Sequence, residues 1–285
     1  MMKDEILRAI ERVHASSPLV HSITNYVVMN VTANALLAAH ASPLMAHAPE
    51  ELDDLTDIDS ALVLNIGTLD APWLESMELA GKLMRAKGKP VVLDPVGAGA
   101  SRLRTEASLR LLDMVRPQIV RGNASEIMAL AAEIRKAERL PSPAAASEPG
   151  PATKGVDSLN DSRDAVDSAR FLAERFGCVV SISGERDFIT DGERVLAVEG
   201  GSPLMPLVTG MGCSASAVTG AYAACAEPLA AAAAAMAVFA SAGARAAEKA
   251  SGPGTFLPHF LDALCEVDAS NAAARVKDVS HLLSK

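Results

Sequence analysis

The segment IVRGNASEIMAL, residues 119–130, reads as a strand that runs straight into a helix. Ile119 and Val120 form an aliphatic run, Arg121-Gly122 leads out of it, and Asn123 with Glu126 three positions on makes a capping-box pattern ahead of apolar residues at helical spacing. Outward from this unit, in both directions, short aliphatic runs alternate with helix-period stretches. Strands are expected over 19–24, 43–46, 61–65, 91–94, 118–121 and 178–183, and helices over 29–39, 50–57, 72–87, 105–115, 125–136 and 164–176. This is the rhythm of β-α units on a mostly parallel sheet flanked by helices, an α/β fold. A late pair of runs, 187–190 and 194–198, brackets Asp191-Gly192 and reads as a hairpin, because Asp-Gly supplies the positive φ angles of a two-residue turn. After Gly210 the chain is expected to be almost wholly helical. Residues 1–18 pattern as an amphipathic helix with Ile6, Leu7, Ile10 and Val13 on one side, not as a signal peptide.

Composition narrows the class. The 285 residues are 49% hydrophobic and only 3% aromatic, so a core of aliphatic side chains packed through Ala and Gly surfaces is expected. The alternation keeps its character from end to end, which argues for one domain over 1–285, with the Pro- and Ala-rich stretch 140–153 as a flexible surface loop. With 26 basic against 35 acidic side chains, a net −9, the chain offers no field for a phosphate backbone, and nucleic acid is not an expected partner. The four cysteines, Cys178, Cys213, Cys225 and Cys265, form no C-x-x-C pair, which fits a reducing cytoplasm. The most apolar stretch, 227–245, is mostly alanine and reads as a buried helix, so no membrane is expected.

Ligands of open α/β sheets bind beyond the carboxyl ends of the strands. Four places stand out there. VVLDPVGAGA, 91–100, ends a strand on Asp94 before a Gly-flanked turn; an Asp-Pro stop accounts for it equally well. At the end of the next strand Arg121 is suited to phosphate oxygens and Glu126 to magnesium through water, while capping alone would justify Asn123 and Glu126. LVTGMGCSASAVTGAY, 207–222, is a Gly-rich turn feeding a helix of small residues. Gly210 and Gly212 free backbone N–H groups there, and the helix N-terminus adds partial positive charge, which together make an anion site. No G-x-x-x-x-G-K-[ST] loop occurs. Cys213 sits where that helix terminus is expected to lower its pKa, as suits a base or nucleophile; a small buried thiol is the commoner fate. PLVHSITNYVVMNVTAN, 18–34, and ASPLMAHAPEE, 41–51, crowd His21, Asn25, Asn30, Asn34, Met45 and His47 around two strand ends. No metal or acid-base role is assigned to either histidine.

Taken in order, HSITNYVVMNVTAN, ASPLMAHAPEE, ALVLNIGTL, VVLDPVGAGA, RGNASEI, KGVDS, SGERDFITDG and VTGMGCSASAV resemble the hydroxyethylthiazole kinase family of the ribokinase-like superfamily, over about 19–222. The resemblance implies ATP-dependent phosphorylation of 4-methyl-5-(2-hydroxyethyl)thiazole in thiamine biosynthesis, with Mg2+, in a homotrimer whose active sites lie between subunits. It gives Met45, Asn25 and Gly210 to the substrate and Arg121 and Ser183 to ATP. Asn123 and Glu126 fall on an N-x-x-E magnesium motif, and Asp94 falls near the metal, partly through water. Cys213 takes the place of an aspartate base in related sugar kinases, with Gly210 and Gly212 beside it in the catalytic turn.

The usual G-T-G-C reads Gly210-Met211-Gly212-Cys213, so a hydroxyl is replaced by a thioether. Within the same fold, another small-alcohol kinase acting on hydroxymethylpyrimidine or a sugar is the nearest competitor, and the block with Asn25 and Met45 argues against it. A cysteine-dependent transferase would need a base paired with Cys213, which no part of the sequence supplies. A nucleotide-binding regulatory protein is the third alternative, countered by the joint presence of Asp94, Arg121, Glu126 and Cys213.

Overall fold

The computed structural model describes residues 2–140 and 157–282. Apart from Leu140, the loop expected over 140–153 lies outside the described residues. Six strands run parallel: β1 (Leu19–Ile23), β2 (Ser42–Leu44), β3 (Ala61–Asn65), β4 (Val91–Asp94), β5 (Ile119–Asn123) and β6 (Val179–Ser183). β7 (Asp187–Thr190), β8 (Val195–Val198) and β9 (Val276–Asp278) follow, each antiparallel to the strand before it in the sheet, completing among the described residues a nine-stranded sheet in the order β2-β1-β3-β4-β5-β6-β7-β8-β9.

The expected strands all form, with shifted ends. β5 runs on to Asn123 because Arg121, Gly122 and Asn123 continue the ladder opposite Ser181, Ile182 and Ser183. The hairpin loop is not the expected two-residue turn. Thr190 pairs with Val195, leaving a four-residue connection in which Asp191 Oδ1 accepts from the N–H groups of Glu193 and Arg194. β9 was not expected: its three residues are too few to show a period, and only the open edge of β8 calls them into the sheet.

Successive strand residues point to opposite faces, and the core divides accordingly. Val20, Val63, Val92, Ile119 and Val179 face one cluster, built with α1 (Met2–Ser16), α2 (Met29–Ala38), α8 (Met211–Ala223), α9 (Pro228–Ala247), α10 (Pro253–Cys265) and α11 (Ala269–Ala274). Leu62, Leu64, Leu93, Val120 and Val180 face the other, with α3 (Leu52–Ile58), α4 (Ala71–Ala86), α5 (Arg102–Val115), α6 (Ala124–Ala137) and α7 (Asp157–Phe176). By length and composition α9 would suffice to cross a membrane, yet residues 229–243 are all buried in the core, as its alanine content foretold. α8 lies directly on the sheet: a Cβ on Gly220 would meet Val63 Cγ2 at 2.5 Å, so glycine there sets how near the helix comes to β3 and β1. That close approach brings the first turn of α8 over the strand ends.

Candidate active site

The ends of β3 and β4 place Asn65 and Asp94 side by side as register partners. Asn65 Nδ2 donates to Asp94 Oδ2 at 2.7 Å, and Asn25 Nδ2, just past β1, donates to Asn65 Oδ1 at 2.8 Å. From α8, Ser216 Oγ donates to the same Asp94 oxygen at 2.7 Å. Asn25 Nδ2 also lies 3.6 Å from Cys213 Sγ. Asn25, Asp94 and Cys213 therefore belong to one cluster, which Asn65 and Ser216 complete.

Burial governs its protonation. Removal from water pushes Asp94 up to about 6, against the opposing charge of Arg121 and the bond from Ser216, while the Glu126 carboxylate pushes the same way as burial. The expectation for Cys213 is overturned. Burial first, and the Asp94 carboxylate second, raise the thiol to about 11, and the amides of Asn65 and Asn25 offset only part of this. The helix terminus does not prevail because the thiol has little water and an acid beside it. At neutral pH Cys213 is a thiol.

Arg121, 7% exposed, reaches across from β5 to donate from Nη1 to the Gly212 carbonyl at 2.9 Å. Its buried Nε has no hydrogen-bond partner among the described residues. A buried donor left unmade is costly. Arg121 opens onto a cavity of about 880 Å³ that is also lined by Asn123, Ser183, Gly210 and Gly212. Asp187 lines it too; burial raises its carboxyl while Arg121 opposes, and its Oδ1 accepts from Gly184 N. Gly210 caps α8 with φ 82°, and a Cβ there would meet Val31 Cγ1 at 2.7 Å, so only glycine admits this entry to the helix.

The capping box is real. Asn123 Oδ1 accepts from Glu126 N at 2.9 Å and from Ser125 Oγ at 2.7 Å, while Glu126 Oε2 accepts from Asn123 N at 2.8 Å. Glu126 Oε1 takes the Gly97 N–H at 2.8 Å, tying the turn after Asp94 to α6. Two bonds fill the lone pairs of Asn123 Oδ1, so its side chain holds Glu126 in place and serves the helix cap. Arg104 on α5 donates to the carbonyls of Ile66, Gly67 and Val96, pinning the segments after β3 and β4.

Met45 stands apart. It follows edge strand β2 and is not among the residues lining the cavity. His47 stacks on Trp73 with ring centroids 3.9 Å apart, and His21 is buried with both ring nitrogens bonded. Asn65 was legible as the last residue of a strand run; Ser216, Asp187 and Arg104 carry no sequence signal that separates them from ordinary helix and hairpin residues.

Sheet order, helix placement and a Gly-started helix over the strand ends define a ribokinase-like α/β fold. Pyridoxal kinase from Staphylococcus aureus in complex with ADP shares the fold, with a TM-score of 0.57 at 19% identity over 81% of this chain and 89% of that one. Residues 10–270 match the hydroxyethylthiazole kinase family, and the chain belongs to that family of phosphotransferases. A hydroxyethylthiazole kinase of Nitratidesulfovibrio vulgaris (strain DSM 19637 / Miyazaki F) is 54% identical over 275 residues, 96% of this chain and 97% of its own. That of Brachyspira hyodysenteriae (strain ATCC 49526 / WA1) is 49% identical over 277 residues, 97% of this chain and 99% of its own. The solved hydroxyethylthiazole kinase of Pyrococcus horikoshii OT3 superposes with a TM-score of 0.83 at 40% identity, covering 96% of this chain and 98% of that one.

Proposed function

We propose that the protein, acting as one kinase domain over residues 1–285, transfers the γ-phosphoryl group of ATP to the side-chain hydroxyl of 4-methyl-5-(2-hydroxyethyl)thiazole, feeding thiamine biosynthesis. The observation that supports it most directly is buried Arg121 lining, together with Gly210 and Gly212 at the first turn of α8, a cavity large enough for a nucleotide. ATP lies in that cavity, with Ser183 among its contacts and Arg121 and the N–H groups from Gly210 onward on its phosphates. The acceptor lies toward Asn25, Met45 and Cys213. Its oxygen forms the new bond to the γ-phosphorus as the bridging bond to ADP breaks, and its proton leaves late, so a loose transition state asks little of a base. Cys213, as a neutral thiol, is a hydrogen-bond partner of the acceptor and not its base at neutral pH.

The donor set suits magnesium. Asp94 and Glu126 offer hard oxygen atoms, and the Glu126 carboxylate raises the cost of ionising Asp94, which a dication would relieve. Magnesium is held by one or two carboxylates with water and substrate phosphates, and among the described residues no cluster of three His, Cys, Asp or Glu offers a closed cage instead. Bound there, Mg2+ supplies neutralisation of the phosphate oxygens.

A homotrimer with the site at its subunit boundary follows the family resemblance. It is supported by Tyr26 and Val27, 61% and 65% exposed directly after Asn25, which leave an apolar surface for a neighbour to cover. A cytoplasmic location fits four free cysteines. The test is ADP release with ATP and Mg2+, comparing hydroxyethylthiazole with hydroxymethylpyrimidine and a no-acceptor control. Turnover on the thiazole is expected; turnover on the pyrimidine alone overturns the substrate assignment.

A further inference from the structure

His21 and Asp59 form the most deeply buried titratable pair among the described residues, both side chains 0% exposed, and the phosphoryl transfer described above does not use them. Nδ1 of His21 lies 2.7 Å from Asp59 Oδ2, and Nε2 lies 2.8 Å from the carbonyl oxygen of Ala46. A carbonyl only accepts, so Nε2 carries a hydrogen and donates it. The contact with Asp59 then needs a proton of its own, either on Nδ1 beside a carboxylate or on Oδ2 beside a neutral ring. In both forms the ring is committed at both nitrogens.

The place of these bonds matters. β2 is an edge strand of three residues, paired on one side only. Leu44 is the register partner of His21 in the sheet, and Ala46 is bonded to the His21 ring, so Met45 is bracketed by two attachments to one residue. Asp59, ahead of β3, anchors the ring from the far side. We propose that His21 is a positioning residue for the acceptor pocket: backed by Asp59, its imidazole holds the Ala46 carbonyl and thereby sets where Met45 stands. This rests on the reading of Met45 as a wall of the thiazole pocket, and it assigns the pocket's geometry to a hydrogen-bonded pair outside it.

The experiment measures steady-state kinetics and amide hydrogen exchange over residues 44–48 in wild type, His21→Leu and Asp59→Asn. For His21→Leu, exchange over 44–48 rises at least tenfold and KM for hydroxyethylthiazole rises at least tenfold, while KM for ATP stays within twofold and kcat within threefold. A general loss of packing would lower kcat and affect both substrates, so equal losses overturn the proposal, as does unchanged exchange over 44–48. Asp59→Asn preserves both bonds, its amide donating to Nδ1 while Nε2–H stays on Ala46, and keeps exchange and acceptor KM within about threefold. Should His21→Leu fail to fold, Asp59→Ala, which leaves the ring unbacked, takes its place: exchange over 44–48 is expected to rise, and unchanged exchange overturns the proposal. Absence of wild-type turnover on the thiazole counts against the substrate reading only, because the exchange measurement needs no substrate.

Discussion

Asn65 and Asp94, neighbours across β3 and β4, share a 2.7 Å hydrogen bond in which the amide donates to a carboxylate oxygen that also receives Ser216. The pair is buried, and the bonds only partly offset the loss of water, which leaves Asp94 near 6. A carboxyl raised above its unfolded value of 3.8 holds its proton more tightly in the folded state. Its stabilising contribution is complete below that value and is lost as pH rises through about 6. Two pH units correspond to about 3 kcal/mol. Urea unfolding of Asp94→Asn is therefore expected to gain on wild type between pH 4 and pH 8 by an amount of that order, and equal pH dependence in the two proteins would contradict the burial argument.

On the proposed magnesium role Asp94 acts as a carboxylate, so kcat/KM for the free enzyme should fall as pH drops below about 6. A profile flat from pH 5 to pH 8 would remove Asp94 from the metal site.

Cys213, raised to about 11, has almost no thiolate at neutral pH. Cys213→Ser is expected to keep turnover within roughly tenfold, below the 10²–10⁴ that a general base contributes. Its pH profile from 6 to 9 should match wild type; a thousandfold loss with a missing limb would restore the base role.

Arg121 bonds the Gly212 carbonyl and holds Nε unpartnered. Replacing it with Met should cost about 10²–10³ in kcat/KM for ATP, the scale of one lost transition-state donor. Arg121→Lys should recover little, because an ammonium cannot serve Gly212 and a phosphate with the fork of a guanidinium. Kinetics with ATP varied at saturating acceptor read both.

Gly210→Ala forces a positive φ on a residue with a Cβ and drives that Cβ toward Val31 and Val28. A loss of roughly 1–3 kcal/mol in stability is expected, with KM for ATP raised because the first turn of α8 moves. Melting and kinetics of the variant measure both; an unchanged melt would mean the turn relaxes freely.

Much of this molecule was readable from its chain. The aliphatic runs ended where strands end because parallel strands buried on both faces must be continuously apolar, and the Asn123–Glu126 spacing named its helix start because capping is local. The family blocks drew attention to Asp94, Arg121, Gly210 and Cys213 for the same reason: each sits within a few residues of a strand end or helix start. β9 and the four-residue hairpin loop were not readable, since edge pairing is decided by a partner far away in sequence. Nor was the state of Cys213. The sequence showed a helix N-terminus, which lowers a thiol; the fold added burial and the Asp94 charge, which raise it further. Ser216 on Asp94, Arg104 on three carbonyls and His21 between Asp59 and Ala46 likewise exist only once distant segments meet. Sequence by itself determined the fold class and the residue types at the strand ends, because those follow from local pattern. Tertiary structure alone decided which polar atoms are shut away from water and what they face, and those two quantities set protonation and position.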